Sequence, residues 1–541
     1  MTVGEDISNQ VKSSLEWANG TVNAPNIISQ PKPTDLSQDE YNWNLRPPGA
    51  SLLPIFGLML GFPLGTSIKL GLFICSLIGS IGWIIVFKKF GISKYVILLI
   101  SILLGVKTGT SINHYSTANI ILIPIVPWIW ILVSNTLLKI NYSKIRIKDL
   151  ILFAVVFLLL GSFAWIKLSG IIIAGTIGAF YITYLAIKLF KNNKKFSLTL
   201  FSFLSVLFWV PFLFLEKINN DFTGITANSL YENIVVHEIE DELFGKNWCS
   251  STQNFSLLWS FIASPGYALP ANIFAHMVRD FGLQFNNFCN FVHQIHMNIH
   301  VLLCGFIGFF CTLVILSDTK KCMHNLPFHL KISLICFLTI PFIGLAILSY
   351  KFEWNYLLYF AHTSEYWLML AVPTFIVFSS KSKINIFSFL LFGIIIALPL
   401  GKALHFSIFK LSEKDTYISK TEMERGLSPS RFSNAINLVE NDSSSSDDII
   451  YFLTSGDMAD YTLRTNMRTM STHFANRSII ESRKFKNKGS LYVYCVFDSE
   501  LDNDSSSFLN SLLSKFPTPL DKKILMQNET TVIKLRLSSS V

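Results

Sequence analysis

Residues 150–187 read LILFAVVFLLLGSFAWIKLSGIIIAGTIGAFYITYLAI and contain one charged residue, Lys167. A helix needs roughly 20 apolar residues to cross a hydrocarbon core about 30 Å thick. The apolar runs on either side of Lys167, 150–166 and 168–187, meet or nearly meet that length. They predict two membrane-spanning helices with Lys167 in the short connection between them.

Similar apolar runs occur along most of the chain. Apolar residues make up 51% of the sequence and charged residues 15%, whereas soluble domains carry roughly a quarter charged residues. The sequence therefore predicts a mainly α, polytopic transmembrane helix bundle of about ten spans within residues 49–403. The further spans are predicted at 68–87, 95–112, 119–138, 197–215, 299–316, 332–349, 357–378 and 384–403.

The apolar stretch 51–66 is short and is interrupted by Pro54 and Pro63. It predicts either an interfacial or half-inserted helix or an eleventh span. An N-terminus outside the cytoplasm with no preceding span is physically awkward. Either 51–66 spans the membrane, or the true start lies upstream and a first helix is missing; we favour the missing helix.

The placement of charge predicts the orientation of the bundle. The connectors 88–94, 139–149, 188–196, 317–331 and 379–383 together hold 16 Lys or Arg and 2 Asp or Glu. Segments 1–48 and 216–295 hold 6 Lys or Arg and 14 Asp or Glu. By the positive-inside rule the connectors are cytoplasmic, and the two acidic segments face the periplasm or a lumen. The net charge of +9 follows from this topology and predicts no nucleic-acid partner.

Residues 404–541 are polar and alternate between helical and strand patterns, which predicts a small extracytoplasmic α/β domain. Its helices are predicted at 428–440, 457–467 and 506–515, and its strands at 448–453, 490–497, 523–526 and 531–537. The chain thus divides into an outer first loop with an amphipathic helix (1–48), the bundle with its outer loop 216–295 (49–403), and this domain (404–541).

Two groups on the predicted outer side could carry acid–base or phosphate chemistry. Glu5 and Asp6 open the amphipathic stretch that ends at Gly20, and a carboxylate there could take a proton from an acceptor. The plainer interpretation is a solvated acidic terminus. Lys167 could bind a lipid phosphate, or could extend along the helices to the membrane surface as an ordinary interfacial lysine.

Other polar groups interrupt apolar sequence and are candidates for substrate contact. His362 and Glu365 lie three residues apart and so share a helix face, followed by Tyr366. His114 belongs to a short outer turn. A structural hydrogen-bond network is the alternative for these residues.

Cofactor signals are weak. His293, His296 and His300 have a spacing that allows a divalent metal, but a polar interfacial stripe is favoured because no carboxylate or thiol adjoins them. We therefore assign no metal site and no certain cofactor, and a divalent metal at these histidines stays the less favoured alternative. Phosphate-loop, dinucleotide and HExxH motifs do not occur. Any substrate must therefore be activated elsewhere and delivered within the membrane.

The segment from Gly4 to about Pro211 resembles the integral membrane glycosyltransferases that use polyprenyl-phosphate sugars, the protein-mannosyltransferase and aminoarabinose-transferase type. The resemblance is carried by the acidic pair, the helical stretch ending in Gly20, Arg46-Pro47-Pro48-Gly49 and Lys167-Leu-Ser-Gly170. The later segments His362–Tyr366 and Leu370-Ala-Val-Pro373 are also similar.

This resemblance implies a GT-C fold and transfer of a sugar from a polyprenyl-phosphate donor to a protein, lipid or polysaccharide acceptor. It implies Asp6 as catalytic base, with Glu5 second, and Lys167 and Arg46 as contacts to the donor phosphate. The sequence departs from the pattern at Glu365, where a basic residue is expected. A helix before the acidic pair is also expected, which agrees with a missing first span.

Three other classes fit parts of the pattern. A polysaccharide polymerase or ligase would place its key residues in the 216–295 loop, such as Arg279-Asp280. A lipid or sugar transporter would use polar groups within spans, but the spans show no inverted repeat. A non-catalytic scaffold would use residues 404–541 to bind partners.

Overall fold

A computed structural model describes the chain in segments. They are residues 2–3, 5–32, 35–44, 46–98, 101, 114–115, 118–167, 170–190, 194–223, 317–318, 320, 323–324, 326–352, 418–429, 433–442, 449–453, 463–471, 491–497, 521–527 and 530–537. The predicted runs at 95–112, 299–316, 357–378 and 384–403 lie wholly or mostly outside these residues.

Long apolar helices form most of the described bundle. They are α3 (Leu64–Lys89), α4 (Asn119–Lys139), α5 (Ile147–Gly161, continued by a 3-10 turn at Ser162–Trp165), α6 (Gly170–Leu189), α7 (Lys194–Thr223) and α8 (Phe328–Phe352). Within the described residues, 4 helical stretches are long and apolar enough to cross a membrane: Leu64–Lys89, Ile147–Trp165, Gly170–Leu189 and Phe196–Ile218. The chain is an integral membrane protein, as the sequence predicts.

Two short helices precede the bundle. The amphipathic stretch forms α1 (Glu5–Ala18), and the Pro-containing stretch forms α2 (Gly49–Met59), a helix of 11 residues. At 1.5 Å per residue, α2 is about 16 Å long and cannot cross a 30 Å core. The chain turns at Gly61, which has a φ of 81°, and α3 begins directly after Pro63. The eleventh-span interpretation of 51–66 is therefore wrong.

The bundle packs around a large aromatic and aliphatic core contributed by the six helices α3 to α8. Trp130 lies at its centre, with rings of Phe90 and Phe180 stacked at centroid distances of 5.3 and 6.5 Å. The indole nitrogen of Trp130 donates a hydrogen bond of 2.7 Å to Ser333 Oγ. This buried polar atom is thereby satisfied, as apolar surroundings require.

Three helices share one direction. The starts of α3 and α4, together with Ile166 just before α6, belong to a second apolar cluster. Each helix then ends in lysine, at Lys88-Lys89, Lys139 and Lys188 respectively. One end of the bundle is therefore lined by helix starts and the other end by cations.

Short strands lie at the end where these helices start. Strand β1 (Thr2–Val3) pairs in parallel with β4 (His114–Tyr115). Strands β2 (Ile27–Lys32) and β3 (Asp35–Trp43) form an antiparallel hairpin that the sequence pattern does not predict. Its polar, Pro-containing sequence lacks a clear apolar alternation, which explains the omission.

The C-terminal part contains α9 (Lys420–Glu424), α10 (Ser433–Asp442) and a five-stranded mixed sheet in the order β6-β5-β7-β9-β8. Its strands are β5 (Ile449–Leu453), β6 (Arg468–Ser471), β7 (Leu491–Phe497), β8 (Asp521–Gln527) and β9 (Thr530–Leu537). The four predicted strands are confirmed. We call α1, β1–β4 and these C-terminal elements the polar cap.

Two predicted helices differ from the structure. The helix predicted at 428–440 corresponds to α10, which begins at Ser433, and Pro429 lies in no regular element. The helix predicted at 457–467 is helical only at 463–464 among its described residues, and β6 follows at once. The parallel pairing of β6 with β5 supplies the backbone partners that local propensity could not predict. The prediction at 506–515 lies outside the described residues.

Candidate functional site

The chain start is held beside His114 by backbone pairing. Glu5 and Asp6 are the first two residues of α1, which begins one residue after β1 ends. In the ladder between β1 and β4, Thr2 is opposite His114 and Val3 is opposite Tyr115. Acidic residues in a first helical turn are favoured by the helix dipole. The structure describes the backbone, but not the side chains, of Glu5, Asp6 and His114.

Tyr115 anchors this region to α2. Its side chain is fully buried, and its hydroxyl donates a hydrogen bond of 3.2 Å to the carbonyl oxygen of Ala50. Burial raises the pKa of the Tyr115 phenol well above its ordinary value. The hydroxyl therefore stays protonated as a donor. Tyr115 shares an apolar cluster with Val3 and Ile7, the buried residues on either side of the acidic pair.

A buried polar network fixes the backbone around Arg46. We call Ser13, Asn26, Asn44 and Ser51 the polar seam. The Asn26 amide donates to the carbonyl oxygens of Asn44 at 2.9 Å and Arg46 at 3.1 Å. The Arg46 backbone N–H donates in turn to Asn44 Oδ1 at 3.1 Å. The Arg46 side chain itself is exposed.

The polar seam also connects α1 to α2. Ser51 Oγ on α2 donates to Asn26 Oδ1 at 3.2 Å, and it lies 3.3 Å from Ser13 Oγ on α1. All four side chains are buried. Apart from Asn44 Nδ2, which has no hydrogen-bond partner within the described residues, these side chains pair with one another or with the backbone. Such pairing favours one arrangement of the elements that carry them. The seam therefore sets α1 and the Arg46 backbone in a fixed relation.

Lys167 lies in the turn between the 3-10 extension of α5 and α6, as predicted. Its backbone N–H donates to the Phe163 carbonyl at 3.1 Å, and its carbonyl accepts from the Gly170 N–H at 2.9 Å. The side chain is half-buried. These two bonds fix the backbone of Lys167 between the helices.

This turn packs directly on the first residue of α2. A Cβ atom added at Gly49 would lie 2.5 Å from Ile166 Cα and 2.9 Å from Ile166 O. Only glycine permits so close a backbone approach. Because Ile166 precedes Lys167 and Gly49 follows Arg46-Pro47-Pro48, the two cationic segments meet there. Ile166 also packs against the cluster that contains Val3 and Ile7.

The fold therefore brings four predicted segments to one end of the bundle: those of Glu5-Asp6, Arg46, His114 and Lys167. The other predicted site residues, His362, Glu365 and Tyr366, lie outside the described residues, as do Arg279-Asp280 and the three histidines from His293 to His300. Within the described part of the chain, no group of three or more His, Cys, Asp or Glu could hold a metal ion.

Sequence reasoning missed most of the residues that assemble this site. Asn26, Asn44 and Ser51 bind the segments together but carry no motif, and Tyr115 is predicted only as part of the short polar turn of His114. The one available signal is the cluster of Asn and Pro in 18–26, which is typical of a turn whose side chains bond the backbone.

Comparisons with known proteins give a similarity in structure. No family model matches the chain, and no curated protein matches its sequence. A solved structure, the crystal structure of ArnT from Cupriavidus metallidurans bound to undecaprenyl phosphate, aligns over 99% of this chain and 94% of its own. The two are 12% identical, with a TM-score of 0.46. Residue roles in the present chain therefore rest on its own sequence and geometry.

Proposed function

We propose that this protein is an integral membrane glycosyltransferase that moves a sugar from a polyprenyl-phosphate donor to an acceptor. The observation that carries the proposal is the packing of the Lys167 turn on Gly49, beside the cluster that holds the start of α1. The segments that carry Glu5-Asp6, Arg46 and Lys167 thereby meet at one end of the bundle, although they are far apart in sequence. Acid–base catalysis next to a phosphate leaving group needs that combination.

The proposed site lies on the periplasmic or lumenal face. Helices α3, α4 and α6 begin beside the polar cap and end in lysines. The positive-inside rule puts those lysines in the cytoplasm and supports an extracytoplasmic polar cap. A lipid-linked donor would then reach the site from the membrane, with its sugar and phosphate in water at the ends of the helices.

In the proposed mechanism, Lys167 and Arg46 hold the donor phosphate and stabilise the negative charge that it gains on leaving. Asp6 removes the proton from the acceptor hydroxyl or amine as that group attacks the anomeric carbon. The bond from the anomeric carbon to the phosphate oxygen breaks as the new bond to the acceptor forms. A single displacement of this kind inverts the anomeric configuration.

Replacing the proposed base tests the function. We expect Asp6→Asn to lower transfer by about 10²-fold or more, because the amide cannot accept the proton. Transfer is measured with a radiolabelled polyprenyl-phosphate sugar in reconstituted vesicles. Glu5→Gln is the matched control, and we expect it to stay within a few-fold of wild type. Full activity in Asp6→Asn, with normal membrane insertion, would contradict the assignment.

A further inference from the structure

A C-terminal segment supplies a hydrogen-bond partner to the start of a membrane helix. The backbone N–H of Gly65, in the first turn of α3, donates to the Arg425 carbonyl at 2.8 Å. The residue that precedes α3 is Pro63, and a proline side chain cannot accept this bond. Gly426 has a φ of 66°, and a Cβ added there would lie 3.6 Å from Pro63 Cβ. The turn at Arg425-Gly426 therefore docks on α3.

This docking segment has a buried charged centre. We call residues 419–428 and 463–468 the clasp. Glu422 and Arg464 form an ion pair of 2.8 Å whose side chains are 0% and 2% exposed. Glu422 also accepts from Ser433 Oγ at 2.9 Å and from the Ser419 N–H at 3.0 Å. A buried ion pair needs such additional partners to persist.

Arg425 joins the two halves of the clasp. Its guanidinium donates to the carbonyl oxygens of Leu463 and Thr465 and to the side-chain oxygen of Asn466. Burial lowers the pKa of Arg425 to about 10, and the carboxylates of Glu440, Glu16 and Glu424 oppose that shift. Arg425 therefore stays cationic at neutral pH.

The far end of the clasp binds the β2–β3 hairpin. Arg468 donates to Asp39 Oδ1 from Nη2 at 2.7 Å and from Nε at 3.1 Å. The hairpin is attached to α1 in turn, since Lys12 Nζ donates to the Ser29 carbonyl at 3.2 Å and the Ser29 N–H donates to Glu16 at 2.9 Å. The contacts thus form a chain from α3 through the clasp and hairpin to α1.

The clasp also reaches the acidic end of α1 directly. Leu427 and Leu463, both buried, belong to the cluster that contains Val3 and Ile7. Val3 and Ile7 lie on either side of Glu5 and Asp6 in the sequence. A displacement of the clasp would therefore move the first turn of α1 relative to α2 and α3.

We propose that the clasp positions the first turn of α1 over the membrane helices, with Asp39 and Arg468 as positioning residues for the acidic pair. The inference rests on the proposed function for its catalytic consequence. Misplacing a catalytic group by about 1 Å can cost large factors in rate while leaving substrate binding intact. The clasp should therefore act on kcat and leave the KM for the donor unchanged.

Charge reversal at this pair tests the proposal. We expect Arg468→Asp to lower kcat about three- to tenfold, the range for losing a partly exposed ion pair and adding a like-charge contact, with the donor KM unchanged. Combining it with Asp39→Arg should restore kcat to within about twofold of wild type. The matched control is Lys522→Glu on β8, at the opposite edge of the same sheet from β6, which should change neither constant.

Hydrogen exchange of the full-length protein in detergent gives a second readout that needs no activity. We expect Arg468→Asp to speed exchange of the α1 backbone amides and the double variant to slow it again. If the exchange of the α1 amides is unchanged in Arg468→Asp, the proposal that the clasp positions α1 is overturned, whether or not the protein transfers sugar. Faster exchange with unchanged kcat, or failure of the double variant to recover, overturns the positioning role. Absence of transfer in wild type, with the exchange pattern as expected, defeats the proposed function alone.

Discussion

The polar cap and the bundle are held together by different kinds of contact. In the cap, buried polar groups join elements that are distant in sequence, such as Glu422 with Arg464 and Asn26 with the Arg46 carbonyl. In the bundle, the helices meet at glycines: a Cβ at Gly79 would lie 2.6 Å from Pro124 Cβ, and one at Gly161 would lie 2.1 Å from the Phe208 carbonyl.

The difference follows from the solvent around each region. Lipid offers no hydrophobic drive for helix association, so small residues and close packing hold membrane helices together. In water, elements that bury polar side chains must pair them, because an orphaned group costs about 1–3 kcal/mol. The cap is therefore sensitive to the loss of single polar atoms, and the bundle is sensitive to added volume.

The largest effect should come from breaking the buried ion pair of the cap. We expect Glu422→Ala to destabilise the clasp by about 3–5 kcal/mol, because it leaves the Arg464 charge buried without its partner. The opening free energy of amides in 419–428, from native-state hydrogen exchange, measures this loss. Lys420→Ala is the control, since its pair with Glu424 is mostly exposed, and it should leave exchange unchanged. Equal effects of the two variants would remove the distinction between buried and exposed charge in the cap.

A smaller loss of stability should follow from adding one methyl group to the bundle. We expect Gly79→Ala to cost about 1–3 kcal/mol, because α3 and α4 must separate around Pro124. At Gly175 on α6, an added Cβ meets no described atom within 4 Å. Gly175→Ala should therefore stabilise the protein by about 0.4–1 kcal/mol through the unfolded chain. Thermal unfolding in one detergent compares the two variants, and a raised melting temperature for Gly79→Ala would contradict close packing there.

The smallest effect should be a response of the cap to acid. Partial burial raises the pKa of the Asp442 carboxyl, but hydrogen bonds from Lys534, Lys523 and Tyr494 outweigh it and hold the pKa at about 2, below the ordinary 3.8. A carboxyl whose pKa is lower in the folded chain than in the unfolded chain stabilises the fold at pH values above its unfolded pKa. That contribution is lost as pH falls through its folded pKa. The C-terminal sheet should therefore weaken between about pH 4 and pH 2.

Hydrogen exchange of β8 and β9 across this pH range measures the effect. Asp442→Asn should flatten the pH dependence, since an amide does not titrate in that range. If the variant loses stability just as steeply as pH falls, the protonation of other carboxylates causes the loss. Because Lys523 and Lys534 are directly opposite in the β8–β9 ladder, we also expect the variant to be less stable at neutral pH, where like charges face each other.

The site was partly predictable from residues that break a local pattern. Lys167 interrupts an apolar run, and the structure puts it in the connecting turn; Glu5 and Asp6 open an amphipathic stretch, and the structure begins α1 there. The β2–β3 hairpin and strand β6 could not be predicted, because each depends on partners supplied by other parts of the chain. The roles of Asp6, Glu5, Lys167 and Arg46 stay predictions.

The sequence by itself determined that the chain enters a membrane and, within the described residues, where four apolar helices of spanning length lie. Apolar length and the positions of lysines are local properties of the sequence. The transfer of each segment from water to hydrocarbon depends on those local properties. Only the tertiary structure decided which segments meet at the end of the bundle. The contacts of Gly49 with Ile166, Gly65 with Arg425 and Asn26 with Arg46 depend on shape and on hydrogen-bond partners far apart in the chain. Short-range periodicity does not encode such contacts, because each residue's partner is set by the packing of the whole.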